Sequence, residues 1–124
     1  MHILVVEDDP GVRWMVADLL RGSGHTVQEV SRGSEALAAF QGERFDVVLV
    51  DHSMPEMTGL EVVERLRAMG MDSPVGCITG SRGHPDVEKF ASQSVPVLFK
   101  PFTVTEFTLF LERLRASRLR VSSE

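Results

Sequence analysis

The feature that most constrains this chain is an alternation of short aliphatic runs with stretches of helical periodicity, repeated five times along the sequence. Ile3-Leu4-Val5-Val6 and Val47-Val48-Leu49-Val50 are continuous rather than alternating, the pattern of strands buried on both faces of a parallel sheet. Asp9-Pro10 reads as a helix start, and Val12, Met15, Val16 and Leu19 follow at helical spacing until Gly22-Ser23-Gly24 stops the helix. His25 to Val30 reads as a second strand and Ser34 to Phe40 as a second helix. Beyond Val50 a Met-Pro-Glu-Met-Thr-Gly loop leads into a third helix, with Leu60, Val63 and Leu66 inward and Val62 and Met69 at the stripe's margins. Pro74 to Ile78 is a fourth strand and Asp86 to Ser92 a fourth helix carrying Val87, Phe90 and Ala91 on one side. Val95 to Phe99 is a fifth strand whose Pro96 removes a ladder donor, which places it at an edge. Thr103 and Glu106 form a capping box for a last helix with Val104, Phe107, Phe110, Leu111 and Leu114 as its apolar stripe. Strand alternating with helix means right-handed crossovers, so the fold class is α/β, a five-stranded parallel sheet flanked by five helices in a doubly wound arrangement.

In such folds ligands bind beyond the carboxyl ends of the strands. The polar residues there are Glu7-Asp8-Asp9 after the first strand, Asp51 after the third, Thr79 after the fourth and Lys100-Pro101 after the fifth. Carboxylates gathered in a small space repel one another unless a cation sits among them. The donors are all oxygens, with no Cys or His at ligand spacing, so Mg²⁺ is expected, or Mn²⁺ in its place. Lys100 offers a point charge and Thr79 a hydroxyl to the same anion, and a carboxylate can itself attack phosphorus to give an aspartyl phosphate. Each feature has an ordinary explanation alone, since Asp9 suits a helix cap, Thr79 a turn and Lys-Pro a surface corner. Their conjunction at successive strand ends does not.

Length and composition narrow the classes. At 124 residues the chain has room for one domain, expected over 1–116, with 117–124 as a C-terminal tail. A formal net charge of −5 argues against direct nucleic-acid binding. The lone Cys77 lies in an apolar run, so a buried, inert thiol is expected, and no run approaches a membrane span. With no secretory signal read at the N-terminus, the expected location is cytoplasmic. Trp14 falls off the stripe of its helix, about 200° from Val12, and points outward. His52 is read as a rim residue beside Asp51, and the arginines from Arg113 to Arg120 as a solvated helix end.

Taken in order, Ile3 to Asp9, Asp51-His52-Ser53-Met54-Pro55-Glu56-Met57-Thr58-Gly59, Ile78-Thr79 and Phe99-Lys100-Pro101-Phe102 resemble the response-regulator receiver domain of two-component signalling, including its single-domain, chemotaxis-regulator-like members. The resemblance runs from residue 2 to about 115 and implies sheet order 2-1-3-4-5. It implies Asp51 as phosphoacceptor from a phosphohistidine donor, Thr79 as switch hydroxyl and Lys100 as the partner of a phosphoryl oxygen. It implies a metal held by Asp8, Asp51, the Ser53 main-chain carbonyl and, through water, Glu7. It further implies a cis bond before Pro101, a histidine kinase or phosphotransfer protein as partner, kinase-side contact near the first helix and an unspecified downstream protein target. The expected assembly is a monomer or weak homodimer, and the expected role is a signalling module rather than an enzyme with its own substrate. Small residues at Ser53 and Ser81 imply an ordinary or fast phosphoryl lifetime.

Departures stand beside the match. Val97 occupies a position where the family often has an aromatic that rotates on activation, and Ser94-Val95 replaces a common Gly-Ala. Rival readings are a pseudo-receiver, a receiver cut from a longer regulator or hybrid kinase, and a Mg²⁺-dependent aspartyl-phosphate phosphatase. The last would put its nucleophile motif on the first strand and carry a cap insertion. A flavodoxin-like cofactor carrier would need a phosphate loop where Glu7-Asp8-Asp9 stands. The Met1 start suggests a native N-terminus.

Overall fold

A computed structural model describes the backbone of residues 1–123 and the side chains of residues 1–118. The chain runs β1 (His2–Val6), α1 (Pro10–Gly22), β2 (Thr26–Val30), α2 (Gly33–Gly42), β3 (Val47–Asp51), α3 (Gly59–Ala68), β4 (Val75–Thr79), α4 (Asp86–Ser92), β5 (Val97–Phe99) and α5 (Val104–Ser123). The strands form one sheet in the order β2-β1-β3-β4-β5, with every pairing parallel. That is the expected α/β architecture.

The continuous aliphatic runs are explained by what covers them. Alternate residues point to opposite faces, so Leu4, Val6, Val48, Val50, Val75 and Cys77 pack with Ala36, Val62, Val63, Leu66 and Phe90 on one side. Ile3, Val5, Val47, Leu49 and Ile78 pack with Val16, Leu20, Phe107, Phe110, Leu111 and Leu114 on the other. Helices α2, α3 and α4 therefore cover one face, and α1 and α5 the other. Cys77 is a free thiol with no exposure.

Local signals set the helix starts. Asp9 accepts from the main-chain N–H of Gly11 and Val12 at 2.9 and 3.2 Å. Thr103 and Glu106 form the expected capping box at 2.9 and 3.1 Å, and Thr58 with Glu61 forms another at α3.

Several expectations require correction. In α1 the buried residues are Val16, Ala17 and Leu20, while Met15 is 39% exposed; Ala17 carries too little apolar area to mark the stripe, which drew it one position round. Val104 is exposed, in the first turn of α5 before the helix meets the sheet, and Met69 is exposed as the C-cap of α3. β5 starts at Val97, because Val95 N–H instead closes the end of α4 on the Phe90 carbonyl at 2.9 Å. Pro96 precedes the edge strand and uses only its carbonyl, which accepts from Cys77 N–H at 2.9 Å. Trp14 is outward, as expected. Helix α5 runs from Val104 to Ser123, and the side chains of the last arginine, Arg120, and its neighbours lie outside the described residues.

Helix α5 sits so close to β4 that a Cβ at Gly76 would lie 2.5 Å from Phe110 Cζ and 2.8 Å from Leu114 Cδ1. Gly76→Ala should therefore lower unfolding stability by about 1–2 kcal/mol, overpacking outweighing the entropy gained by replacing a strand glycine. Urea unfolding followed by circular dichroism measures this.

Candidate functional site

Strand register builds the site. Val6 pairs with Val50 across β1 and β3, so the next residues, Glu7 and Asp51, emerge side by side. Thr79 pairs with Phe99 across β4 and β5, which brings Lys100 alongside. The expected residues are thus gathered at one sheet edge. Carboxylate oxygens of Glu7, Asp8 and Asp51 lie within 4.8 Å of one another. Lys100 Nζ donates to Glu7 Oε2 at 3.1 Å and stands 3.6 Å from Asp51 Oδ1. The Lys100–Pro101 peptide is cis.

Most of this cluster is withdrawn from water. Glu7 is 3% exposed, Asp51 4% and Thr79 0%. Burial, followed by the neighbouring Asp51 charge, pushes the Glu7 carboxyl up to about 7 against the pull of Lys100. Burial likewise raises Asp51, opposed by Lys100 and by the Ser53 N–H that donates to its Oδ1 at 3.3 Å. The two carboxylates compete for one ammonium, so the site carries an uncompensated negative charge when both ionise.

The surrounding loops are held by main-chain contacts. Lys100 N–H donates to the Thr79 carbonyl at 2.9 Å, and Thr79 Oγ1 accepts from Ser81 N–H at 3.2 Å. The Ser53 and Ser81 hydroxyls hydrogen-bond at 3.0 Å over the exposed rim. At Gly59 the loop returns so closely to β3 that a Cβ would sit 2.6 Å from the Asp51 carbonyl oxygen. Arg82 lies over the Phe99 ring, 4.4 Å from its centroid, an arrangement the sequence pattern did not signal.

One expectation about this region is wrong. His52 is not at the rim but 2% exposed. The cause is strand parity, because His52 continues the face of Val48 and Val50 toward α3 and α4. Counting that parity would have found it. Its Nδ1 accepts from Leu60 N–H at 3.3 Å, and its ring meets His84 and Phe90 edge-on. Burial, then the nearby His84, lowers its pKa, which favours the neutral ring. Val97 is half-buried against the same cluster as Phe90.

Comparison with known proteins agrees with this geometry. The family described as the response regulator receiver domain matches residues 3–112. The probable transcriptional regulatory protein TcrX of Mycobacterium tuberculosis is 35% identical over 115 residues, which are 92% of this chain and 48% of TcrX. The sensor histidine kinase RcsC of Escherichia coli is 32% identical over 95% of this chain, which is 13% of RcsC. This chain thus spans about half the length of regulators such as TcrX and far less of the kinase. Among solved structures, the Vibrio cholerae chemotaxis protein CheY4 superposes with a TM-score of 0.83 at 32% identity, covering 91% of this chain and 97% of that one. Thermotoga maritima TrrA, solved in complex with Mg²⁺-BeF, superposes at 0.80 with 28% identity and the same coverage of 91% and 97%. With the sheet order, the strand-end cluster and these matches in agreement, the chain belongs to the response regulator receiver domain family.

Proposed function

We propose that this chain is a phospho-switch that accepts a phosphoryl group on Asp51 from a phosphohistidine in a histidine kinase or phosphotransfer protein, and displays the change to a downstream protein. The observation that carries this reading is the buried Glu7–Asp51 pair sharing one ammonium from Lys100, with Thr79 buried at the end of the adjoining strand. The donor set fits a hard divalent cation: carboxylates at close range, no sulfur or imidazole, and a negative charge left over after Lys100. Asp8, Asp51, the Ser53 main-chain carbonyl and, through water, Glu7 would hold Mg²⁺ or Mn²⁺. When bound, the ion neutralises charge on the phosphoryl oxygens.

The chain's own residues do the rest. An Asp51 carboxylate oxygen attacks phosphorus, a P–O bond forms, and the P–N bond to the donor imidazole breaks. The bonding pair leaves on the imidazole nitrogen, which takes a proton from solvent. Lys100, within 3.6 Å of Asp51 Oδ1, pairs with a phosphoryl oxygen. The Thr79 hydroxyl donates to another, which draws its loop inward. Later, water attacks phosphorus and returns the carboxylate; the small Ser53 and Ser81 leave room for it. Trp14 is exposed on α1, the helix that the family resemblance places on the phosphodonor's side. No helix among the described residues is long and apolar enough to cross a membrane.

A Glu7 carboxyl raised to about 7 from 4.5 is favoured protonated in the folded state. The native protein then binds more protons than the unfolded chain, so stability falls as pH rises from about 4.5 to 7 and the loss is complete above that. In chelator, urea unfolding at pH 5 and pH 8 should differ by roughly 2–3 kcal/mol from this group. Glu7→Gln should flatten the difference, and millimolar Mg²⁺ should restore stability at the higher pH.

The direct test of function is intact mass after incubation with acetyl phosphate. The wild type should gain one phosphoryl group only with Mg²⁺, and Asp51→Asn should gain none. A wild type that stays unmodified while a control receiver is labelled would overturn the reading and leave a module that acts by binding alone.

A further inference from the structure

His52 is the buried polar side chain that the phosphotransfer reading leaves unused. Its Nδ1 accepts Leu60 N–H at 3.3 Å, which places the ring proton on Nε2. That Nε2 lies 3.1 Å from Asp86 Oδ2, in the first turn of α4. The approach is nonetheless too bent for a hydrogen bond, and Nε2 has no other partner among the described residues. A buried N–H left unsatisfied beside a carboxylate is costly, and small adjustments that would complete the bond are favoured.

His52, His84 and Asp86 also have the spacing of metal ligands, their donor atoms lying within 4.8 Å of one another. The proton positions argue against a metal. A metal on His52 Nε2 would drive the ring proton onto Nδ1, against the Leu60 N–H. His84 Nδ1 is itself engaged, accepting Asp86 N–H at 3.0 Å. The cluster is better understood as a joint. His52 follows Asp51 directly and touches the first turns of both α3 and α4. The loop from residue 80 to 85 runs between Thr79, whose carbonyl accepts from Lys100 N–H just past β5, and Asp86, which faces His52.

We propose that His52 is the positioning residue that couples Asp51 to α4: the arrangement of α4 that accompanies an occupied Asp51 is the one in which His52 Nε2–H completes its hydrogen bond to Asp86. The proposal rests on Asp51 being the phosphoacceptor. Because the two atoms already stand at hydrogen-bond distance, a small rotation of the first turn of α4 is sufficient. A bond present in only one of two arrangements biases the equilibrium toward it, and a ligand that selects that arrangement binds more weakly when the bond is removed.

The test uses beryllofluoride with Mg²⁺ as the phosphoryl mimic, titrated into the wild type, His52→Gln and His52→Phe. Gln keeps an N–H donor near the position of Nε2, whereas Phe keeps the ring contacts with Phe90 and His84 and lacks the donor; both lose the Nδ1 acceptor of Leu60 N–H, so the difference between them reports the donor. Main-chain amide signals of residues 86–92 and the His52 Nε2–H signal are followed by nuclear magnetic resonance. In the wild type the α4 amides should shift and the Nε2–H should become slow to exchange. The Gln variant should keep the α4 response. The Phe variant, though folded by urea unfolding, should bind the mimic roughly three- to tenfold more weakly and show about half or less of the α4 shift, as loss of one hydrogen bond requires. A Phe variant with full affinity and a full α4 response overturns the coupling, as does an Nε2–H that does not change in the wild type. A wild type that neither binds the mimic nor takes a phosphoryl group overturns the assignment of Asp51 and the coupling with it.

Discussion

Two carboxylates, Glu7 and Asp51, are buried at the ends of neighbouring strands with a single ammonium, Lys100, between them. Burying like charges together is among the more costly arrangements a small domain can hold, and it persists only where the surroundings fix the compensating group. Here the compensation is topological. Lys100 reaches the pair because β5 pairs with β4, and its own main-chain N–H is tied to the Thr79 carbonyl at 2.9 Å. A slip of one residue between β1 and β3 would turn Asp51 toward the wrong face and leave Glu7 with a hydrophobic neighbour. The aliphatic layers on both faces are what forbid that slip, so packing throughout the sheet holds the chemistry at its edge.

That dependence explains what could be read from the sequence. The runs of Ile3 to Val6 and Val47 to Val50 announced strands covered on both faces, and the polar residues ending each run announced where a ligand would meet them. Both readings use only neighbours in the chain and the rule that ligands gather at carboxyl ends. The residues that misled are those whose placement depends on partners distant in sequence. Met15 and Val104 are apolar and at helical spacing, yet the sheet surface available to α1 and α5 does not reach them. Val95 has the composition of a strand residue but is taken by the turn that closes α4, where its N–H meets the Phe90 carbonyl.

His52 is the instructive failure. A polar ring next to Asp51 suggests a wet rim by residue type. Parity was the stronger constraint, since Val48 and Val50 already pointed toward α3 and α4. The buried imidazole is tolerated because Leu60 N–H satisfies one nitrogen and Phe90 and His84 enclose the ring. The other nitrogen remains without a proper hydrogen bond, and no sequence pattern could have signalled that, because it depends on the angle at which α4 approaches.

The helices are held to the sheet with unequal strength. Helix α5 buries Phe107, Phe110, Leu111 and Leu114, whereas α4 is seven residues long and buries Phe90. One fully buried aromatic is worth about 1.5–3 kcal/mol, and four large apolar side chains several times that. Reversing a two-state preference from one part in a hundred to ninety-nine requires about 5.5 kcal/mol of differential interaction. A change at a single carboxylate can supply a few kcal/mol through charge-assisted hydrogen bonds, which is commensurate with the anchoring of α4 and well short of that of α5. With Val97 offering no ring to rotate, the short helix faced by His52 is anchored lightly enough for the proposed coupling to act on it.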